Sequence, residues 1–378
     1  MTGSGQVAAP QQRSTRLVLL LIGLASGAWA PLVPFAKARV GIDEAVLGLL
    51  LFCLGLGSMV AMPIAGALAA RFGCRRVIVP ASLLVCLALP LMATASSLPL
   101  LVAALVAFGA GVSAVDVTVN IQAIIVERAS GRPMMSGFHG YYSLGGILGA
   151  AGLAGALTAG ASPLAATAAA IAVIAMVLAL AAPHLLPWGG ERSGPDFAFP
   201  RGVVWFIGGL CFIVFLTEGS VLDWSAVFLS SVRGVAKSQA GLGYAAFALA
   251  MTTGRFLGDR LVGRLGGAAI IGLGGLIAAA GFALATLVPW WGAALVGYGL
   301  VGAGCSNIVP VLFTAIGRQT DQAEPLAVPA VTTLGYAGIL AGPAAIGFVA
   351  HAASLTAAFL ILAALLLCVA ASGRWLRV

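Results

Sequence analysis

FIVFLTEGSVLDWSAVFLSS, residues 212–231, is long and apolar enough to cross a bilayer as a helix, yet it carries two carboxylates, Glu218 and Asp223. What such a run means depends on its solvent, and composition decides the solvent. Of 378 residues, 61% are hydrophobic and 8% are charged, with a mean hydropathy of +1.10. Soluble chains run at about 45–50% apolar and 25% charged residues. The chain is therefore read as an integral membrane protein. Its apolar runs do not alternate with polar residues as barrel strands would, so the spans are helices.

Working outward from 212–231, twelve membrane-length runs are predicted, at 16–36, 44–70, 76–95, 98–127, 133–160, 163–186, 203–231, 239–258, 268–288, 291–317, 326–350 and 354–373. The longest interruption, PWGGERSGPDFAFPRG (187–202), is rich in Gly, Pro and charge and parts six runs from six. It divides the chain into a first half, 1–186, a cytoplasmic linker, 187–202, and a second half, 203–378.

Cytoplasmic loops near span ends retain Lys and Arg, which sets the orientation. With the amino terminus inside, only Lys37, Arg39, Arg233 and Lys237 fall outside, leaving fifteen of the nineteen basic residues cytoplasmic. Both termini are expected inside a cell inner membrane. The net charge of +8 is this loop bias, which also attracts anionic lipid; no basic, aromatic-laced soluble domain is present to hold nucleic acid. Trp188, Trp290, Trp291 and Trp375 sit at predicted span ends, as interfacial anchors do. Ala28-Trp29-Ala30 has the small-residue pattern of a signal cleavage site, but Pro31 follows at once and the run is long enough to stay as a helix, so the first span is read as uncleaved. The six cysteines form no CxxC pair, and no His/Cys ligand spacing occurs, so neither metal nor cofactor is expected.

Shifting the chain by about 190 residues aligns its halves. ALVAFGAGVSAVDV (104–117) falls on ALVGYGLVGAGCSN (294–307), and SLGGILGAAG (143–152) on TLGYAGILAG (333–342). Two six-helix units of the same hand follow, one of the arrangements that places a midplane site between rocking halves.

GALAARFGCRRVIV (66–79) resembles the loop between the second and third helices of the Major Facilitator Superfamily: Gly66, Arg71, Gly73, Arg75 and Arg76 match, while Ala70 stands at the acidic position. The second-half copy, GRFLGDRLVGRLG (254–266), keeps the acid as Asp259 beside Arg260. The resemblance implies an all-α fold of twelve transmembrane helices in two pseudo-symmetric halves, with these loops making charge contacts that close an inward gate. EGSVLDWSAVFL, with DVTVNIQAIIVERASGRPMMSGFHGYYSLGG, resembles a bacterial branch of YbjJ-like, fucose-permease-like transporters. That branch implies acids in the first and fourth helices. Asp116 fits the second place by helix number, whereas the first helix has Trp29 and no acid.

Glu218 lies about 22–24 Å along its helix at 1.5 Å per residue, with Asp223 nearer the outer face. A charged carboxylate at such depth costs on the order of 2.5–3.5 kcal/mol, so it faces the bundle interior or a wet cavity. Five residues apart, the two acids cannot share one face unless the helix breaks near Gly219. Asp223 either caps a helix restarting at DWSA, or pairs with Arg233 or Lys237, or joins Glu218 in proton exchange. Glu218, with no obvious local cation, is either a proton-exchanging cavity group or a neutral acid hydrogen-bonded to a neighbouring helix.

On the fourth span Asp116, Asn120 and Glu127 fall on one face, with Glu127 in a surface ion pair beside Arg128. His139 either joins Asp116 and Gln122 in a proton relay or packs as a hydrogen-bonded histidine. Trp29, Asn120, Gln122, Tyr142, Trp224 and Asn307 are candidates to line a small-solute cavity, each with packing as its alternative. Three histidines, no nucleophile elbow and short loops leave no enzyme site. The expectation is a monomeric carrier of a small polar, sugar-like solute with a proton, working by alternating access. Proton-driven efflux of amphipathic or cationic compounds is the alternative, and a non-transporting receptor or a uniporter are the rivals that flux and its pH dependence separate.

Overall fold

The computed structural model describes residues 9–42, 44–189, 201–236, 239–319 and 324–376. Among these there is no strand, and the chain is all-α. The helices are α1 (Ala9–Trp29), α2 (Val33–Val40), α3 (Glu44–Phe72), α4 (Cys74–Thr94), α5 (Leu98–Ser130), α6 (Met135–Thr158), α7 (Pro163–Ala181), α8 (Val203–Ser231), α9 (Leu242–Leu265), α10 (Gly267–Leu287), α11 (Trp291–Cys305), α12 (Ile308–Gln319), α13 (Glu324–Ala352) and α14 (Leu355–Ser372). They make twelve spans because α1 with α2, and α11 with α12, are each one broken span. Pro31 lies in the 3-10 turn Ala30–Leu32 that joins α1 to α2, where a missing N–H and a fixed φ are tolerated. The expected linker lies largely outside the described residues.

Among the described residues, ten spans are long and apolar enough to cross a membrane by length and composition. The two that fall short are α6, rich in glycine, and α9, which holds Arg255, Asp259, Arg260 and Arg264. One of the readings offered for Asp223, the cap of a restarting helix, and one expected single-helix span are overturned. The eighth helix, α8, runs unbroken through Gly219, so Glu218 and Asp223 stay on different faces and no helix restarts for Asp223 to cap. The run 291–317, expected as one helix, breaks at Ser306–Asn307.

The described residues fall into two compact units: Met1–Gly131 with Tyr141–Phe199 and Gln322–Ala330, and Arg132–Gly140 with Pro200–Asp321 and Val331–Val378. The boundary therefore runs through α6 after Gly140 and through α13 after Ala330. Glycine sets the helix spacing in each unit. A Cβ on Gly109 of α5 would lie 2.2 Å from the Leu54 carbonyl oxygen of α3; a Cβ on Gly302 of α11 would lie 2.2 Å from the Phe247 carbonyl oxygen of α9. Small residues thus let backbones meet, as helix packing in lipid requires. Trp290, Trp291 and Trp375 are exposed at helix ends, and Trp188 is exposed in the chain beyond α7.

Candidate functional site

The acids that the sequence puts at membrane depth sit in two clusters, one in each unit. In the second, Glu218 of α8 meets Arg255 of α9, Nη2 to Oε1 3.6 Å. The arginine side chain is 7% exposed and the glutamate 19%. The sequence reading gave Glu218 no cation; the structure supplies one from the next helix. Arg255 was visible as an arginine inside the run 239–258, and a charge within a span was the signal to follow.

The break between α11 and α12 holds this pair. Pro310 has no N–H for the Ser306 carbonyl four residues back, and that oxygen accepts from Arg255 Nε at 3.4 Å. Asn307 Nδ2 donates to the Gly254 carbonyl at 3.0 Å and to Ser306 Oγ at 2.9 Å. Gly258 must be glycine here, since a Cβ would sit 1.8 Å from Asn307 Oδ1. Asn307, expected as a cavity residue, thus fastens α9 to the break through its Nδ2, while its Oδ1 is buried without a hydrogen-bond partner in the protein.

His139, early in α6, packs its ring against Phe313 of α12 with centroids 5.8 Å apart, and its Nε2 is buried without a partner. Four residues past Arg255, Asp259 accepts from the Gly137 N–H at 3.1 Å, placing a carboxylate at the start of α6. Arg255 and Asp259 thus lie on one face of α9, one serving Glu218 and the other α6. Asp223 is exposed. Its expected pairing with Arg233 is not formed, because Arg233 Nη2 donates to the Ala285 and Thr286 carbonyls at 2.9 and 2.7 Å, closing the end of α10, and its guanidinium lies over Phe228. Lys237 lies outside the described residues. The Trp224 Nε1 is buried without a partner, and its ring packs on α13 at Gly347.

In the first unit Asp116 of α5 is paired within its own helix. Asn120 Nδ2 donates to the Asp116 carbonyl at 2.9 Å and to its Oδ1 at 3.2 Å. Asn120 is itself buried. Gln122 is not a cavity residue: fully buried, it donates from Nε2 to Thr15 Oγ1 at 2.9 Å and accepts the Leu186 N–H at 3.0 Å, tying α5 to α1 and to the chain beyond α7. With both ends of its amide engaged, Gln122 carries no relay from Asp116 to His139. Glu127, expected at the surface beside Arg128, is buried, and Arg128 forms an ion pair with Glu324 at 2.5 Å. Trp29 ends α1 with its Nε1 buried and unpartnered. Tyr142 is half-buried on α6, its carbonyl oxygen 2.1 Å from where a Cβ on Gly23 of α1 would stand.

The loop motifs divide their labour unexpectedly. Arg71, Arg75, Arg76 and Arg260 all have exposed side chains, with Arg71 over the Phe72 ring and the Arg75 backbone N–H donating to the Leu186 carbonyl. The close contacts belong to Asp259 and to Gly66, where a Cβ would come within 2.3 Å of the Pro325 carbonyl oxygen of α13.

Twelve membrane-length helices, with the buried Glu218–Arg255 pair between α8 and α9, are the architecture of a membrane carrier. The sequence profile of the Major Facilitator Superfamily matches residues 17–231. An MFS-type transporter of Yersinia pestis is 54% identical over 365 residues, 96% of this chain and 95% of the relative. The membrane protein MosC of Rhizobium meliloti is 32% identical over 344 residues, 90% of this chain and 84% of its own. Two solved structures share the fold. The Escherichia coli fucose:proton symporter FucP matches with a TM-score of 0.81 at 17% identity, over 98% of this chain and 99% of its own. The human organic anion transporter MFSD10 matches with 0.75 at 18%, over 97% and 100%. The chain belongs to the Major Facilitator Superfamily. It is a secondary active transporter of the alternating-access kind, not an enzyme.

Proposed function

We propose that this transporter takes up a small polar, sugar-like solute together with a proton, as a monomer in the bacterial inner membrane with both termini cytoplasmic. In this reading the halves 1–186 and 203–378 rock about the linker 187–202. Glu218 exchanges the proton, and the observation that carries the reading is the loose 3.6 Å pairing of its buried Oε1 with buried Arg255, on a side chain still 19% exposed. A proton on Glu218 removes the anionic partner of Arg255, and the arrangement that best resettles that guanidinium is then favoured. Because Arg255 and Asp259 share a face of α9, the change is felt at the start of α6. Asp116 with Asn120 is the first-half counterpart, and the unpartnered Nε1 groups of Trp29 and Trp224 are donors suited to solute hydroxyls. FucP, whose fold this chain shares, is a fucose:proton symporter, which supports the solute class and the coupling. One proton moving down the membrane potential supplies about 2.3 kcal/mol per 100 mV, enough to concentrate a neutral solute tens-fold.

The test is flux in proteoliposomes, after a thermal-shift screen of sugars, acids, amines and drugs has chosen the solute. Uphill accumulation should require an inward proton gradient. Glu218→Gln should abolish that accumulation while solute exchange partly survives. Gradient-driven accumulation at the wild-type level in Glu218→Gln rejects the assignment, and preferential binding of hydrophobic cations points to efflux instead.

A further inference from the structure

A groove of about 540 Å³ runs along the surface of the first unit between α3 and α4, reaching Ala114 on α5. Helices α3 and α4 each pack on α5 more than on one another, so α5 forms its floor. Ala61, Ala65, Ala81 and Ala110 hollow it, while Leu56 and Leu68 mark its ends on α3. Every lining residue is apolar but one, Arg76, at the end near the loop between the helices.

We infer that this groove seats one acyl chain of an anionic phospholipid, whose phosphate meets Arg76. Length is the first argument. Leu56 to Leu68 spans about 18 Å at 1.5 Å per residue, and one leaflet of a hydrocarbon core about 30 Å thick is about 15 Å. The groove is therefore one acyl chain long rather than one membrane long. Shape is the second: the rim residues Val60, Ile64 and Leu84 are exposed, and the alanines beneath them leave a channel in place of a smooth helix face. Charge is the third. The chain from Ala70 to Arg76 carries three exposed arginines and no acid, Ala70 standing where the superfamily loop has one. A headgroup with net negative charge is favoured there, and a zwitterion gains less.

The experiment is native mass spectrometry of the full-length, delipidated protein titrated with phosphatidylglycerol or phosphatidylcholine of identical acyl chains. One phosphatidylglycerol should be retained with about fivefold preference, the effect of one basic residue near a lipid phosphate. Arg76→Gln should bring the preference to about one, whereas Arg264→Gln, an exposed arginine outside the groove, should leave it unchanged. Ala61→Phe should lower retention of both lipids by filling the channel, and Ala61→Leu is the milder form if the larger residue prevents folding. Equal retention of the two lipids by the unmodified protein overturns the inference. So does the same loss from Arg264→Gln as from Arg76→Gln, or full retention when Ala61 is enlarged.

Discussion

The starts of α6 and α13 occupy corresponding places in the two halves, and each is met by one carboxylate. They obtain it differently. The first turn of α6 contains no acid, and Asp259 on α9 supplies one, accepting the Gly137 N–H at 3.1 Å. The first turn of α13 carries its own acid, Glu324, paired with Arg128. A helix start presents unsatisfied N–H groups and a partial positive charge, so one nearby carboxylate is favoured and a second adds repulsion. Ala70 is then no defect in the loop motif of the first half: the charge it omits is present at the helix the loop faces.

The largest expected effect is on the borrowed acid. Asp259→Ala removes a charged acceptor and leaves the Gly137 N–H without it, a change of about 1.5–3 kcal/mol for a hydrogen bond to a charged group. Hydrogen–deuterium exchange of the amides from Gly137 to Gly140 should accelerate by tens-fold or more, with little change in α10 or α14. Unchanged protection at Gly137 would break the comparison, because the acid would then be idle there.

How much of this was legible in the sequence follows from the range of each interaction. The twelve spans were readable because apolar runs report burial in lipid residue by residue. The Asp116–Asn120 pair was readable too, being four residues apart on one helix. Glu218 and Arg255 lie on different helices, and no local pattern pairs them; only the rule that a buried charge needs a partner pointed to the arginine in the run 239–258. Gln122 failed for the same reason. A polar side chain inside a span resembles a cavity group until its partner appears, and that partner, Thr15, is 107 residues away. The break at Ser306–Asn307 was signalled by Pro310 in the first turn of α12, but the apolar run continues across it from 291 to 317 and reads as one span.

Next in size is the acid held in cis. Glu324→Gln loses the dipole interaction and the pair with a half-exposed arginine, together about 0.3–1 kcal/mol. Exchange in the first turns of α13 should rise by no more than about fivefold, well short of the Asp259→Ala effect. An effect equal to that of Asp259→Ala would mean that the two helix starts are not distinguished by where their acid comes from.

The smallest effect sharpens the comparison most. Ala70→Asp restores the superfamily acid to the first-half loop, one turn beyond Gly66, whose Cα hydrogen faces α13. With Glu324 in place the added charge meets one already there, so α13 protection should stay within about twofold of the parent, attraction to the helix start and repulsion between the acids being of similar size. In a Glu324→Gln background the repulsion is gone, and Ala70→Asp should recover most of the protection that Glu324→Gln lost. The sign of the substitution thus depends on one distant residue, and a double-mutant cycle reads it directly as non-additivity. If Ala70→Asp acts alike in both backgrounds, the acid at 324 and the acid missing at 70 do not answer the same need, and the first-half loop must be explained some other way.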